Sequence, residues 1–144
     1  MAGGYGANQY KQMQVKTANR GQILIMLYEA AIQNVKKAAA AIDRGDLAAK
    51  GLHIGKTHDI INELLATLDH NAGGDIARNL ERLYNFMIEK LVQANIEKNK
   101  APLLEVEKLL TTLLDGWRVA VEQVNRQQGQ AAAPGQGQSG PQAK

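Results

Sequence analysis

The sequence predicts an all-α chain folded as an antiparallel four-helix bundle. Three observations carry this. Apolar residues recur at alternating steps of three and four along four separate stretches, the spacing that lines one face of an α-helix. Short breaks separate the stretches, at Arg44-Gly45-Asp46, at Asn71-Ala72-Gly73-Gly74 and just before Pro102. With 144 residues and 44% hydrophobic content, the chain is long enough for one core and only one. Helices of ~20–25 residues, each ~30–37 Å long and joined by short turns, pack most simply side by side in alternating directions. The bundle is expected over residues 19–126, preceded by a flexible segment at 1–18 and followed by a disordered tail at 127–144.

The first helix begins with Asn19 followed three residues later by Gln22, the form of a capping box. Its seam reads Leu24, Leu27, Tyr28, Ala31, Val35, Ala38 and Ile42. Yet Ile23 to Tyr28 is apolar at six consecutive positions, and 15 of the 20 residues from Ile23 to Ile42 are hydrophobic. One buried stripe needs about three in seven. The excess implies a helix buried on two sides, or one half-covered by something detachable. Gly45 supplies a left-handed terminating residue, and Asp46 is placed to cap the second helix. That helix carries Leu47, Ile54, Ile61, Leu65 and Leu68. The third, with Asp75 in its first turn, carries Ile76, Leu80, Leu83, Tyr84, Met87 and Leu91 and ends by Lys98 or Asn99. Pro102 suits the first turn of the fourth, whose seam is Leu103, Val106, Leu110, Leu113, Trp117, Ala120 and Val124. After Arg126 the composition falls to Gln, Gly, Ala and Pro, which cannot build a core.

Composition argues against several functions. Lys and Arg number 17 against 14 acids, the only adjacent basic pair is Lys36-Lys37, and one Trp, one Phe and four Tyr are available for base stacking, so no nucleic-acid footprint is expected. Without cysteine there is no disulfide, thiolate nucleophile or thiolate-bound zinc. The start MAGGYGANQY lacks the basic and apolar regions of a signal peptide, and the longest strongly apolar run is far below the ~18 residues that span a bilayer. A cytoplasmic protein without stable membrane insertion is expected.

Catalytic constellations are scarce. A di-iron bundle needs Glu-x-x-His pairs, and there are none. His53 and His58, five apart, point in different directions on a helix and do not share a metal. No cofactor is expected, and the chain does not read as an enzyme. Leu52-His53-Ile54-Gly55-Lys56 does resemble the His-x-x-Lys core of histidine phosphotransfer domains, in which a lysine offsets phosphoryl charge. That family places glycine directly after the lysine, where this chain has Thr57. A phosphotransfer relay through His53 and a generic helical adaptor are the alternative readings.

Four segments carry a more specific resemblance. Thr17 to Ala31 (TANRGQILIMLYEAA), Gly45 to Gly51 (GDLAAKG), Gly73 to Asn95 (GGDIARNLERLYNFMIEKLVQAN) and Glu105 to Arg118 (EVEKLLTTLLDGWR) resemble, in order and with matching loop lengths, the FliS family of flagellin-specific export chaperones. Arg20 stands where that family often has a helix-initiating proline, and the Gln/Gly tail has no counterpart in it. The resemblance implies a cytosolic chaperone that binds the disordered C-terminal segment of flagellin, prevents premature polymerisation and delivers it to the flagellar type III export gate, without nucleotide or metal. It also implies that Leu24, Leu27, Tyr28, Ile32, Ile60, Leu64, Tyr84, Met87 and Leu91 are apolar enough to line grooves for the flagellin segment, although for each of them plain bundle core is the favoured reading. Tyr28 and Tyr84 are favoured for a groove wall, because a phenolic hydroxyl needs a partner or water. Within Gln9 to Val15, Tyr10 matches the tyrosine with which these chaperones dock on the gate. Tyr10, Met13 and Val15 are further expected to fold back over the first helix and shield its apolar excess until flagellin displaces them.

Overall fold

The computed structural model describes residues 19–132. They form four helices and, among the described residues, no strand: α1 (Arg20–Asp43), α2 (Leu47–Ala66), α3 (His70–Glu97) and α4 (Ala101–Ala132). The described residues divide into two compact units, one spanning Ile23–Leu114 and the other combining residues 19–22 with residues 115–132.

Local chemistry accounts for the helix ends. The capping box forms in both directions: Gln22 N–H donates to Asn19 Oδ1 (2.8 Å) and Asn19 N–H to Gln22 Oε1 (3.3 Å). Gly45 adopts the left-handed conformation (φ +73°) that ends α1. One residue later Asp46 accepts from Ala49 N–H at 3.0 Å and caps α2, and that hydrogen bond holds its carboxyl below the usual carboxylate range. The third helix starts earlier than its apolar pattern indicates. Asp69 accepts from the N–H groups of Asn71 and Ala72, so a first turn forms at His70, and the predicted break survives as a kink at Gly74 (φ 52°, ψ −124°). At the far end Lys98 takes the left-handed conformation (φ 53°) and its N–H returns to Ala94 O. The fourth helix also outruns its expected end at residue 126, continuing to Ala132. Gln and Ala are good helix formers, and no proline interrupts the chain until Pro134. The expected tail is thus helical over 127–132, and its remainder lies outside the described residues.

Within Ile23–Leu114, cross-helix contacts fix an up-down-up-down order. Lys36 meets Glu107 (3.8 Å) and Asp43 meets Lys100 (2.9 Å), so α1 and α4 run antiparallel. Lys90 meets Glu105 (3.5 Å) between α3 and α4, and Lys50, near the start of α2, donates to Asn95 O near the end of α3 (2.9 Å). Exposed ion pairs such as these contribute little stability and serve here as markers of register. The core between the helices holds Tyr28, Val35 and Ala38 from α1, Ile54, Ile61 and Leu64 from α2, Leu80, Tyr84, Met87 and Leu91 from α3, and Leu103, Val106 and Leu110 from α4. Four seam positions depart from expectation: Leu47, Ile76, Ala120 and Val124 are exposed. Leu47 opens its helix, and Ile76 follows the Gly74 kink, which shifts burial to Ala77.

In the second unit the start of α1 lies against the last part of α4. Asn19 Nδ2 donates to Asn125 Oδ1 at 2.9 Å. A Cβ on Gly21 would sit 2.7 Å from Val121 Cγ1, so only glycine permits this approach.

Candidate functional site

The nine residues proposed for the grooves separate into two groups. Six are buried: Tyr28, Ile32, Leu64, Tyr84, Met87 and Leu91. Only Leu24, Leu27 and Ile60 are half-buried and can present apolar surface without rearrangement. The tyrosines sit elsewhere than expected. Neither forms a groove wall; their hydroxyls meet 2.5 Å apart across the core, one donating to the other, with ring centroids at 6.5 Å and planes inclined by 58°. Burial and this hydrogen bond raise Tyr84 well above the ordinary phenol range, so it stays neutral. A buried phenol needs a partner, but the partner can be another buried phenol, and this possibility is invisible from either residue's own neighbours in sequence.

The entry to α1 shows the apolar excess directly. Ile23, Leu24, Ile25, Met26 and Leu27 are all half-buried and none is fully covered. Successive helical residues are turned by about 100° from one another, so five in a row sample the whole circumference. This part of the helix is apolar on every side and incompletely covered.

On the α1–α2 face, Asn34 Nδ2 donates to Ala30 O (2.9 Å), which leaves its Oδ1 to accept from His53 Nδ1–H (2.9 Å). The imidazole then carries its proton on Nδ1. Burial holds His53 below the ordinary imidazole value, reinforced by Lys37, Lys56 and Arg44 and opposed by Asp46. Seven residues back along α1 from Asn34 is Leu27, and seven residues on along α2 from His53 is Ile60. The antiparallel register therefore sets Leu27 opposite Ile60.

Sequence reasoning missed a second apolar stripe. Ile88 is half-buried while Val92 and Ile96 are exposed, and steps of four place all three on one side of α3. Exposed Leu47 lies one helical turn before Lys50, whose ammonium reaches Asn95 O beside Ile96. The signal was available as apolar residues lying off the seam. Lys50 itself, only 7% exposed, was also missed. Its apolar stem packs inward while its charge meets the negative C-terminal end of α3. Tyr10, Met13 and Val15 lie outside the described residues.

Among the described residues, no group of three or more His, Cys, Asp or Glu side chains is placed to hold a metal ion, and no helix is long and apolar enough to cross a membrane.

Comparison with known proteins agrees with this geometry. The family profile described as Flagellar protein FliS matches residues 3–124. The flagellar secretion chaperone FliSB of Pseudomonas aeruginosa is 37% identical over 113 residues, covering 76% of this chain and 90% of its own. The flagellar secretion chaperone FliS of Salmonella typhimurium is 36% identical over 118 residues, covering 78% and 87%. The fold is shared with a crystal structure of a bacterial flagellar chaperone at a TM-score of 0.69 and 22% identity, over 83% of this chain and 97% of that one. The chain therefore belongs to the FliS family of flagellar secretion chaperones.

Proposed function

We propose that this protein is a cytosolic export chaperone that binds the disordered C-terminal segment of flagellin, keeps it from polymerising and delivers it to the flagellar type III export gate. The observation that carries this reading is the half-covered apolar entry of α1, in a chain whose family is that of flagellar secretion chaperones. A soluble chain leaves such a surface uncovered at the risk of self-association, unless a partner uses it. A disordered amphipathic segment suits it. Such a segment lays apolar residues into grooves between helices and becomes ordered as it binds.

Direct contact falls first to Leu24, Leu27 and Ile60, with the exposed stripe of Val92 and Ile96 as a second contact region. Tyr28, Ile32, Leu64, Tyr84, Met87 and Leu91 act as the packed floor that holds these residues in place. Gate docking is assigned to Tyr10, in the segment before the described residues.

Calorimetry and circular dichroism with the C-terminal segment of the cognate flagellin test the reading together. One segment per chaperone is expected, with added helix and a negative heat-capacity change from buried apolar area. Leu27→Asp and Ile60→Asp should each weaken binding by more than ~10-fold, as loss of a central apolar anchor does. Binding without gain of helix would overturn the groove mechanism, and binding only to the folded domain of flagellin would overturn the client assignment. Tyr10→Ala should leave this affinity unchanged while lowering flagellin secretion.

A further inference from the structure

We propose that the α1–α2 face carries an electrostatic subsite for an acidic stretch of the bound polypeptide, formed by Lys37, Lys56 and the His53 imidazole between them, and continuous with the apolar anchors Leu27 and Ile60. The inference rests on the client reading above and adds to it a charge requirement and a spacing.

Three observations support it. First, Lys37 and Lys56 are exposed and neither has an acidic partner among the described residues. Three other cations of this region are engaged: Lys36 meets Glu107, Arg44 meets Asp46 and Lys50 donates to Asn95 O. Second, the Asn34–His53 hydrogen bond joins the two helices here, and Lys37 and Lys56 each lie about one helical turn from it, three residues on from Asn34 and from His53; both, with Arg44, act against protonation of the ring. Asp46 is the single acid acting on the ring, and Arg44 already engages it. The Asn34 contact occupies His53 Nδ1, so its Nε2 is the ring nitrogen left to take a proton and face a carboxylate. Third, the cluster adjoins the apolar surface. Lys56 is one helical turn from Ile60 on α2, and Lys37 is ten residues from Leu27 on α1, ~15 Å along the axis.

A segment lying along this face meets apolar anchors at one end and unneutralised positive charge at the other. The complementary segment is an amphipathic helix that carries one Asp or Glu about four positions and another about ten positions from its apolar residues. Charge complementarity of this kind sets the direction in which the segment lies and accelerates encounter. Binding also favours the protonated imidazole, so proton uptake accompanies it.

The test measures affinity for the C-terminal segment of the cognate flagellin at low and high salt, using the full chain. Four proteins are compared: wild type, K37E/K56E, the remote control Lys108→Glu, and Leu27→Asp. Thermal melts of K37E/K56E confirm that it folds, and K37Q/K56Q provides a milder variant in which charge is removed without reversal. The inference expects K37E/K56E to bind at least ~10-fold more weakly at low salt and to lose most of the salt dependence, K37Q/K56Q to fall between, and Lys108→Glu to match wild type. If Leu27→Asp abolishes binding while K37E/K56E matches Lys108→Glu, the acidic subsite is refuted and the chaperone reading stands. If the wild type does not bind the segment at all, the chaperone reading itself fails. Equal weakening by K37E/K56E and Lys108→Glu would show only a general charge effect and would also refute the subsite.

Discussion

Two of the side-chain hydrogen bonds that tie α1 to other helices differ in depth. Tyr28 and Tyr84 meet at 0% and 1% exposure, and their hydrogen bond closes within the core. Asn34 and His53 meet at 2.9 Å, but both are half-buried, and exposed Lys37 and Lys56 follow them by about one turn on their own helices. The comparison shows what depth does to a polar pair. In the core a hydroxyl without an acceptor is left with a full desolvation penalty, so the pair restricts which helix can face which. Near the surface water can replace either partner, so the pair adds little stability and is available to interact with other molecules.

Mutations can break or sharpen this contrast. The largest effect is expected from Tyr28→Phe, which takes the partner from the Tyr84 hydroxyl. It should destabilise the fold by about 1–3 kcal/mol in urea denaturation, and adding Tyr84→Phe should recover part of that, since no orphaned hydroxyl remains. Lys50→Met keeps the apolar stem but removes both the hydrogen bond to Asn95 O and the charge at the end of α3. A loss of about 1–2 kcal/mol is expected, read from the same midpoints. Asn34→Ala should cost at most about 1 kcal/mol, because His53 Nδ1–H can turn to water. A loss matching that of Tyr28→Phe would erase the distinction between the two contacts.

The smallest effect concerns pH. Because His53 lies below its ordinary value near 6.5 in the folded protein, the folded state favours the neutral ring. The unfolded chain binds more protons in the window just below that value, so the contribution is intact above it and is lost as pH falls through the window. Wild type should therefore lose slightly more stability than His53→Gln between pH 7.5 and pH 5.5. Equal losses would show that the contact has no linkage to protonation.

Much of the architecture is legible in the sequence because its determinants are local. Asn19 and Gln22 are three residues apart, Gly45 and Asp46 are adjacent, and the Gly73-Gly74 pair interrupts a helical pattern wherever it is placed. Seam residues such as Val35, Ile61, Met87 and Leu110 are core by their period alone. The candidate site was less legible. Leu27 and Tyr28 are neighbours with similar apolar surroundings in sequence, yet one is half-buried and the other fully enclosed.

The sequence by itself determined the number of helices, most of their ends and the apolar excess at Ile23–Tyr28, because each depends on residues within one or two helical turns. The tertiary structure decided which apolar residues are floor and which are wall, since coverage comes from other helices. It also decided that Tyr28 would find Tyr84, 56 positions away, and that Asn34 would find His53, 19 positions away. A helical period specifies the direction in which a side chain points on its own helix, but the groups it meets are set by the packing of the other three.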